Sequence, residues 1–181
     1  MDTTKIAPVV WINGFPGCGK LTIASVMKIL HTDMILLDNH KLIDPVEAKF
    51  QRSHPEYQKE RHRYRQHISR EYVSNPATLS QVVVFTGQKV AEEYREAARQ
   101  AGRPFKPVYI LCDVEENIRR VAAAGRVNGS AKKLTDPERL RDFRERCDIF
   151  RFDGCDGLSL DTTDSTPEEV AREILQFVKE R

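Results

Sequence analysis

The sequence lacks several features that would each have indicated a particular class of protein. Its four cysteines form no C-x-x-C pair and have no histidine at zinc-finger spacing, which argues against a metal centre or a disulfide framework and predicts reduced thiols. No segment approaches the roughly 20 apolar residues that a membrane span needs. The N-terminus has no cationic region followed by an apolar segment of signal-peptide length, so the expected location is cytoplasmic. There are no internal repeats and no low-complexity tracts.

An excess of one charge is also missing. The 29 lysines and arginines nearly balance the 27 aspartates and glutamates, for a net charge of +2. This balance argues against a protein that coats nucleic acid or another polyanion, and leaves only local basic patches to interpret. A chain of 181 residues with 40% hydrophobic content can bury one sizeable core, so a single domain is expected.

The strongest signal in the sequence is a glycine-rich stretch of the Walker A type. Residues 14–22 read GFPGCGKLT, and they stand between a short apolar run and a helix-forming stretch. Three glycines allow the backbone to curl until successive N–H groups point inward, and the helix N-terminus adds a partial positive charge. Lys20 adds a full positive charge, so the assembly suits a polyphosphate. The predicted nucleotide-binding residues are Gly14, Pro16, Gly17, Cys18, Gly19, Lys20, Leu21 and Thr22.

The loop departs from the strict pattern at one position. Leu21 follows Lys20, and the hydroxyl arrives one residue later, at Thr22. In the strict pattern the Ser or Thr directly after the lysine binds Mg²⁺. The motif therefore predicts nucleotide binding, but it does not by itself assign Thr22 as a direct ligand of the ion. Asp38 is the second candidate for holding Mg²⁺ or its bound water.

Short apolar runs alternate with helix-forming stretches along the chain. Five of the runs are predicted as strands, at residues 9–12, 34–37, 81–85, 108–111 and 158–160. Such alternation predicts an α/β fold with a parallel sheet, right-handed crossovers and helices on both faces. Ligands of these sheets bind beyond the carboxyl ends of the strands, so polar residues just after each strand are site candidates. They include Asp38 and His40 after the second strand, Gln88 after the third and Asp113 after the fourth.

Two helices carry clear start signals. Thr166, Pro167 and Glu169 have the types and spacing of an N-cap, a first helical residue and a capping-box partner. The predicted buried stripe of this last helix is Val170, Ile174, Phe177 and Val178. Asp136, followed by a proline and a glutamate, predicts the start of another helix.

The loop and two further segments resemble known kinases. The form G-x-P-G-x-G-K-x-T is similar to the loop of adenylate kinase-like enzymes. The letters GKLT, with DNH at 38–40 and KLTDP at 133–137, resemble a group of small P-loop kinases whose broader relatives are chloramphenicol phosphotransferase-like and shikimate kinase-like proteins. The resemblance implies a three-layer α/β/α P-loop NTPase fold that uses ATP and Mg²⁺. It also implies a helical acceptor-binding insertion at 41–80 and a lid-like segment at 119–135, within one domain spanning 1–181.

Asp38 is the first candidate for the catalytic base. A carboxylate at the end of the second strand can orient or deprotonate a hydroxyl that attacks a γ-phosphoryl group, and in the resembling kinases an acid at this place faces the acceptor. The alternative is an Asx turn that caps the following segment. His40 is a candidate for donating to the acceptor or for replacing the base, with a local hydrogen-bonding role as its alternative.

The segment at 55–73 combines a helical apolar pattern with positive charge. Tyr57, Tyr64, Ile68 and Tyr72 have helix-compatible spacings, so one face is expected to pack. Arg61 and Arg65 belong to a cluster of arginines and histidines that would suit an anionic acceptor, although neighbouring glutamates dilute it. A solvated helix face is the alternative interpretation.

Three arginines stand where the resemblance places a lid. Arg119, Arg120 and Arg126 are candidates for clamping the transferred phosphoryl group, because guanidinium groups stabilise the charge of its transition state. A helix is expected to open at Glu116 and to end near 124–125. Arg119 and Arg126 are seven residues apart, so they share a face if the helical path continues to Arg126. Surface arginines on an amphipathic helix are the alternative. Gln88 is a further candidate for touching the acceptor.

The leading hypothesis is an ATP-dependent phosphotransferase that acts on a hydroxyl or phosphate of a small-molecule acceptor, with anionic and nucleoside- or nucleotide-like molecules among the candidates. Two alternatives stay open: a non-catalytic ATP-binding module, motivated by the missing hydroxyl after Lys20, and a polynucleotide 5′-hydroxyl kinase, motivated by the basic cluster. A GTP-dependent switch is disfavoured, because the guanine-reading N-K-x-D pattern is absent.

Overall fold

The computed structural model of the chain describes residues 6–87, 90–123, 134 and 136–180. Five strands form one sheet in the order β2-β3-β1-β4-β5. Their bounds are β1 Val9–Gly14, β2 Met34–Leu37, β3 Val82–Thr86, β4 Phe105–Leu111 and β5 Leu158–Asp161. Parallel pairing places Met34 opposite Val82 and Val108 opposite Leu158. The predicted α/β fold with a five-stranded parallel sheet is confirmed, and β1 and β4 are longer than predicted.

Seven α-helices lie between and after the strands within the described residues. They are α1 Lys20–Leu30, α2 Asn39–Glu47, α3 Tyr57–Ile68, α4 Ala91–Gln100, α5 Val114–Ala122, α6 Pro137–Arg146 and α7 Pro167–Lys179. A π-helix at Ser69–Val73 and a 3₁₀ turn at Pro76–Thr78 follow α3. Asp38, Asp113 and Asp136 cap α2, α5 and α6 by accepting backbone N–H bonds, as Asp residues before a helix commonly do.

The last helix begins as the sequence predicts. Thr166 and Glu169 form a reciprocal capping box, and Pro167 occupies the first turn. The buried stripe differs from the prediction, because Phe177 is only half-buried while Ala171 and Leu175 are buried beside the expected valines and isoleucine. The apolar face is therefore centred a little to one side of the predicted stripe, which leaves Phe177 at its edge.

The chain divides into two compact units. The first comprises Met1–Trp11 and Lys28–Lys106, and the second comprises Ile12–Met27 and Pro107–Arg181. In the first unit Trp11, Val83 and Phe85 are fully buried, and the ring of Tyr94 stacks on Phe85 at a centroid distance of 4.0 Å. In the second unit the largest fully buried side chains are Ile12, Met27, Ile110, Leu140 and Ile174.

One buried cation organises the first unit. Arg103 is 4% exposed and donates to six backbone carbonyl oxygens, those of Ala7, Pro8, Tyr72, Val73, Thr78 and Gln81. Burial lowers the pKa of its guanidinium to about 10, so the group stays charged at neutral pH. The side chain thus joins the entry to β1, the end of the π-helix and the entry to β3.

Within the described residues, no helix has both the length and the hydropathy needed to cross a lipid bilayer.

Candidate active site

The phosphate-binding loop predicted between β1 and α1 has the backbone of such a loop. Gly17 and Gly19 have φ angles of +92° and +89°, in the region that favours glycine. A Cβ at Gly17 would lie 2.4 Å from Cγ2 of Val121, so the loop also approaches α5 too closely for a side chain. The α1 helix follows directly, and its first main-chain hydrogen bond runs from Ile23 to Gly19 at 2.9 Å. A strand, a tight turn and a helix N-terminus therefore follow one another, which is the arrangement that binds anions at a helix N-terminus.

Lys20 lies across this loop. Its Nζ donates to the carbonyl oxygens of Gly14 and Phe15 at 2.7 and 2.8 Å. Two main-chain carbonyl groups thus hold the ammonium group of Lys20 against the loop. Cys18 belongs to the loop and is buried, and this burial raises the pKa of its thiol despite the nearby cations Lys20 and Arg144. The thiol is therefore protonated at neutral pH and packs as a small residue.

A cleft of about 440 Å³ opens beside the loop, within the second unit. Four of the predicted nucleotide-binding residues line it, namely Gly17, Cys18, Gly19 and Thr22. Arg119 and Arg120 of α5 line the same cleft, so the structure brings together the loop and two of the predicted catalytic arginines. The remaining lining residues are Ile23, Glu116, Thr162, Ser165, Pro167 and Val170.

The two adjacent arginines have different surroundings. Glu116 accepts from Nε of Arg119 and from Nε of Arg120, each at 2.6 Å, and these hydrogen bonds lower the pKa of its carboxyl to about 2. Arg120 also donates to the carbonyl oxygens of Thr162 and Thr163 at 2.6 and 2.9 Å, and its side chain is 24% exposed. The side chain of Arg119 is 73% exposed. Arg120 is therefore fixed within the fold, and Arg119 is the one with freedom to move toward a ligand.

Sequence reasoning did not assign Glu116 to the site. Its spacing of three and four residues from the two arginines was the available signal, because side chains so spaced meet on a helix. Ser165 and Pro167 were also missed as cleft residues. Ser165 lies in the turn after β5 and Pro167 in the first turn of α7, and the local pattern that predicts the start of α7 does not show that it borders the cleft.

The expected course of α5 is wrong at both ends. The helix begins at Val114, capped by Asp113, rather than at Glu116, and it ends at Ala122. Ala123 has ψ of 135° and is extended, so α5 ends before residue 124, where the predicted end of the helix begins. The alanine-rich sequence favours helix, but helix propensity is a weak preference that tertiary context overrides. Arg126 itself lies outside the described residues, and so does Gln88.

Asp38 follows β2 in the first unit and caps α2. Its Oδ1 accepts from the backbone N–H groups of His40 and Lys41 at 2.8 and 3.2 Å. This is the Asx-type cap that stood as the alternative to a catalytic role, although one carboxylate can both cap a helix and face a ligand. His40 is half-buried in the first turn of α2. The acceptor roles of Asp38 and His40 stay predictions.

The basic segment forms α3, but its packed face differs from the prediction. Tyr57 and Ile68 are buried, whereas Tyr64 and Tyr72 are half-buried. The helix ends at Ile68, and Tyr72 lies in the π-helix that follows, so the predicted spacing does not hold across both elements. The buried face also includes Arg65, a residue that the apolar pattern did not place there.

Arg65 and Arg61 occupy distinct environments in the first unit. Arg65 donates from Nε and Nη2 to the two carboxylate oxygens of Glu93 at 2.8 and 2.9 Å. Burial raises the pKa of Glu93, but the hydrogen bonds from Arg65 and His62 outweigh this and leave it lowered. Arg61 is half-buried, with its guanidinium carbon 5.9 Å from the ring centroid of Tyr57. Its Nε is buried and has no hydrogen-bond partner among the described residues.

Most other cations of the segment are neutralised locally. The described ion pairs are Arg52 with Glu47 at 2.7 Å, Lys59 with Glu56 at 2.9 Å and Arg63 with Glu60 at 2.8 Å. These pairs reduce the positive density that motivated the polynucleotide hypothesis.

The described residues contain no group of three or more His, Cys, Asp or Glu side chains that could hold a metal ion. Thr22 is exposed and lines the cleft beside the loop glycines, so its hydroxyl is accessible to an ion bound with phosphates. A Mg²⁺ ion that arrives with a nucleotide needs few protein ligands, because it keeps several waters and binds the phosphates. The cleft therefore fits a nucleotide-borne ion better than a resident one.

Comparisons with known proteins agree with this geometry. A family model described as shikimate kinase matches residues 16–179. No curated protein matches the chain significantly. Many solved structures share the fold. A gluconokinase from Sinorhizobium meliloti is 14% identical, covering 96% of this chain and 93% of its own, with a TM-score of 0.61.

Two further structures are similar. An APS kinase from Mycobacterium tuberculosis, in complex with AMPPNP and APS, is 18% identical and covers 97% of this chain and 99% of its own, with a TM-score of 0.58. A shikimate kinase from Aquifex aeolicus is 18% identical and covers 94% of this chain and 96% of its own, with a TM-score of 0.50. At these identities the likeness establishes the P-loop kinase fold.

Proposed function

This chain belongs to the shikimate kinase family, and on that premise we propose that it transfers the γ-phosphoryl group of ATP to a hydroxyl or phosphate group of a small anionic acceptor. The family makes it an ATP-dependent small-molecule kinase, and the class of acceptor is the new element. The observation that best supports nucleotide binding is a single cleft lined by the loop glycines, Thr22 and the arginines of α5.

The loop and Lys20 would hold the β- and γ-phosphates. In the structure Lys20 donates to two carbonyl oxygens of its own loop, and a bound polyphosphate offers it stronger, charged acceptors. Arg119 would join it, since its exposed side chain can leave Glu116 at little cost. Bound Mg²⁺ would neutralise charge on the phosphates, with Thr22 of the cleft helping to hold it; Asp38 is the alternative holder of the ion if it does not serve as the base.

Asp38 would orient the acceptor hydroxyl or accept its proton. The two backbone N–H groups that bind Oδ1 fix the direction of the carboxylate, which is the kind of preorganisation that a general base needs. His40, in the first turn of the same helix, would donate a hydrogen bond to the acceptor. Phosphoryl transfer needs little covalent chemistry from the protein, so positioning of this kind accounts for most of the rate.

An anionic acceptor is proposed because of Arg61. Its buried Nε has no hydrogen-bond partner among the described residues, so a rotation of the side chain that brings this N–H to an acceptor oxygen breaks no hydrogen bond at Nε and gains one. Arg65, in contrast, already has a bidentate carboxylate partner in Glu93, so we assign it a supporting role beside Arg61. Gln88 stays a proposed contact to the acceptor.

The test is an ATP-consumption screen over nucleosides, nucleotides, sugars, hydroxy acids and short oligonucleotides. We expect turnover with an acceptor that carries a carboxylate or phosphate, and much less with its uncharged analogue. Binding of ATP without turnover across the panel would favour the non-catalytic module.

Arg61→Met should then raise the KM for the acceptor about tenfold or more while the KM for ATP stays unchanged. Arg63→Met is the matched control, because Arg63 lies on the same helix but is exposed and pairs with Glu60. An equal effect of the two variants would contradict the role of Arg61.

A further inference from the structure

One buried amide holds the phosphate-binding loop from the side of α5. Asn117 is fully buried, and its Nδ2 donates to the carbonyl oxygen of Pro16 at 2.9 Å. The next loop residue, Gly17, lies so close that a Cβ there would come within 2.6 Å of the same nitrogen. The amide of Asn117 therefore sets the direction of one carbonyl group in the loop and the distance between the loop and the helix.

The orientation of that amide is fixed by Arg144 of α6. Nη1 of Arg144 donates to Oδ1 of Asn117 at 2.8 Å, and Nη2 donates to the carbonyl oxygen of Cys112 at 3.0 Å. A guanidinium group can only donate, so the amide oxygen must face Arg144 and the amide nitrogen must face Pro16. If the amide were rotated by half a turn, its NH₂ group would face the N–H donors of Arg144. Its oxygen would then face the carbonyl oxygen of Pro16, so neither hydrogen bond could form.

Arg144 reaches the loop by a second route, through the ring of Phe15. The guanidinium carbon lies 4.7 Å from the centroid of that ring, and Phe143 meets the ring edge-on at a centroid distance of 5.8 Å. The carbonyl oxygen of Phe15 is one of the two that accept from Lys20. Contacts that hold the Phe15 ring therefore also hold a group that positions the lysine.

We propose that Arg144 is a positioning residue of the kinase reaction, which holds Asn117 and Phe15 and so keeps the loop in the shape that receives phosphates. This inference rests on the proposed function, because it concerns the same loop. Arg144 is not among the residues that line the cleft, so it acts through its neighbours rather than on the nucleotide.

The test compares Mg-AMPPNP binding by calorimetry in the full chain and its variants, which needs no knowledge of the acceptor. Arg144→Met keeps the bulk of the side chain but removes its hydrogen bonds, and it should raise the Kd about tenfold or more. Arg141→Met is the control, since Arg141 lies on the same helix and pairs with Glu115 of α5 at 3.1 Å without a described contact to the loop. Its Kd should stay within about twofold of the wild type.

A second variant separates positioning from folding. Asn117→Asp can still accept from Arg144, so it should fold, but it cannot donate to Pro16, and its Kd should also rise about tenfold. If Asn117→Asp and a folded Arg144→Met both bind Mg-AMPPNP as the wild type does, with only the melting temperature lowered, Arg144 is merely structural and the inference is overturned.

A double-mutant cycle adds a further check. The losses from Arg144→Met and Asn117→Ala should be less than additive, because Arg144 acts in part through the hydrogen bond that Asn117 donates to Pro16. Fully additive losses would contradict action through Asn117. If the wild type itself binds no nucleotide, the proposed function fails as well, so the two failures are distinguishable.

Discussion

Replacement of Gly17 by alanine is the sharpest perturbation of the loop that the structure offers. The φ of +92° costs a residue with a side chain about 1–2 kcal/mol. The new Cβ would also lie 2.4 Å from Cγ2 of Val121, whereas carbon atoms pack at about 3.5–4.0 Å, so one of the two must move by more than about 1 Å. Overpacking of this kind costs about 1–3 kcal/mol, which gives a total of about 2–5 kcal/mol.

That strain can be relieved by moving the loop away from α5, at the expense of the phosphate site. A misplacement of about 1 Å can cost about a hundredfold in rate, so ATP turnover should fall by one to two orders of magnitude. The assays are urea denaturation and steady-state ATP turnover on the same preparation.

Gly102→Ala provides the matched control for Gly17→Ala. Gly102 has φ of +66°, but a Cβ there would meet no atom within 4 Å. It should lower the free energy of unfolding by about 1 kcal/mol and leave turnover unchanged. Equal turnover in the two alanine variants would refute the argument that the close contact between the loop and α5 shapes the site.

Three further predictions concern the first unit. Arg103→Met removes the guanidinium donor from six carbonyl oxygens, of which those of Pro8 and Thr78 keep a backbone donor, and it should lower the free energy of unfolding by about 3 kcal/mol or more in urea titrations. Replacement of the exposed Arg99 by methionine should change it by less than about 1 kcal/mol. The pKa of Glu93 is lowered in the folded state, so its pairing with Arg65 stabilises the fold fully above pH 4.5 and this stabilisation is lost as the pH falls through the folded-state pKa. Glu93→Gln should therefore be less stable than the wild type at neutral pH, with a difference that shrinks as the pH falls below 4.5 in denaturation series; a constant difference would be inconsistent with the ion pair. Asp38→Asn should lower kcat with the acceptor found in the screen more than it weakens ATP binding, and equal losses in kinetics and calorimetry would instead indicate a metal-holding or structural role.

The features that the sequence predicts well are those with local causes. The strands follow from apolar runs, the caps of α6 and α7 follow from Asp136 and Thr166, and the phosphate loop follows from glycines next to Lys20. Each of these signals lies within a few residues of the structure that it specifies. A local signal can also mislead. The alanine-rich sequence favours helix at Ala123, but this residue is extended and α5 ends before it.

The features that the sequence does not predict are side-chain contacts between residues far apart in the chain. Arg65 meets Glu93 across 28 positions, and Arg144 meets Asn117 across 27. One sequence shows a surplus of arginines but not which carboxylate, amide or carbonyl each will meet. The same limit applies to the adjacent arginines of α5, whose different roles depend on the carbonyl oxygens of Thr162 and Thr163.

The most direct test of the central claim is calorimetric titration of Mg-ATP into the wild type, Lys20→Met and Lys28→Met. Lys28 lies exposed in the last turn of the same helix, so its replacement controls for the loss of one charge. The account predicts saturable one-to-one binding by the wild type and Lys28→Met, and binding weakened by at least about tenfold in Lys20→Met. Absence of binding by the folded wild type, or equal binding by all three proteins, would contradict it.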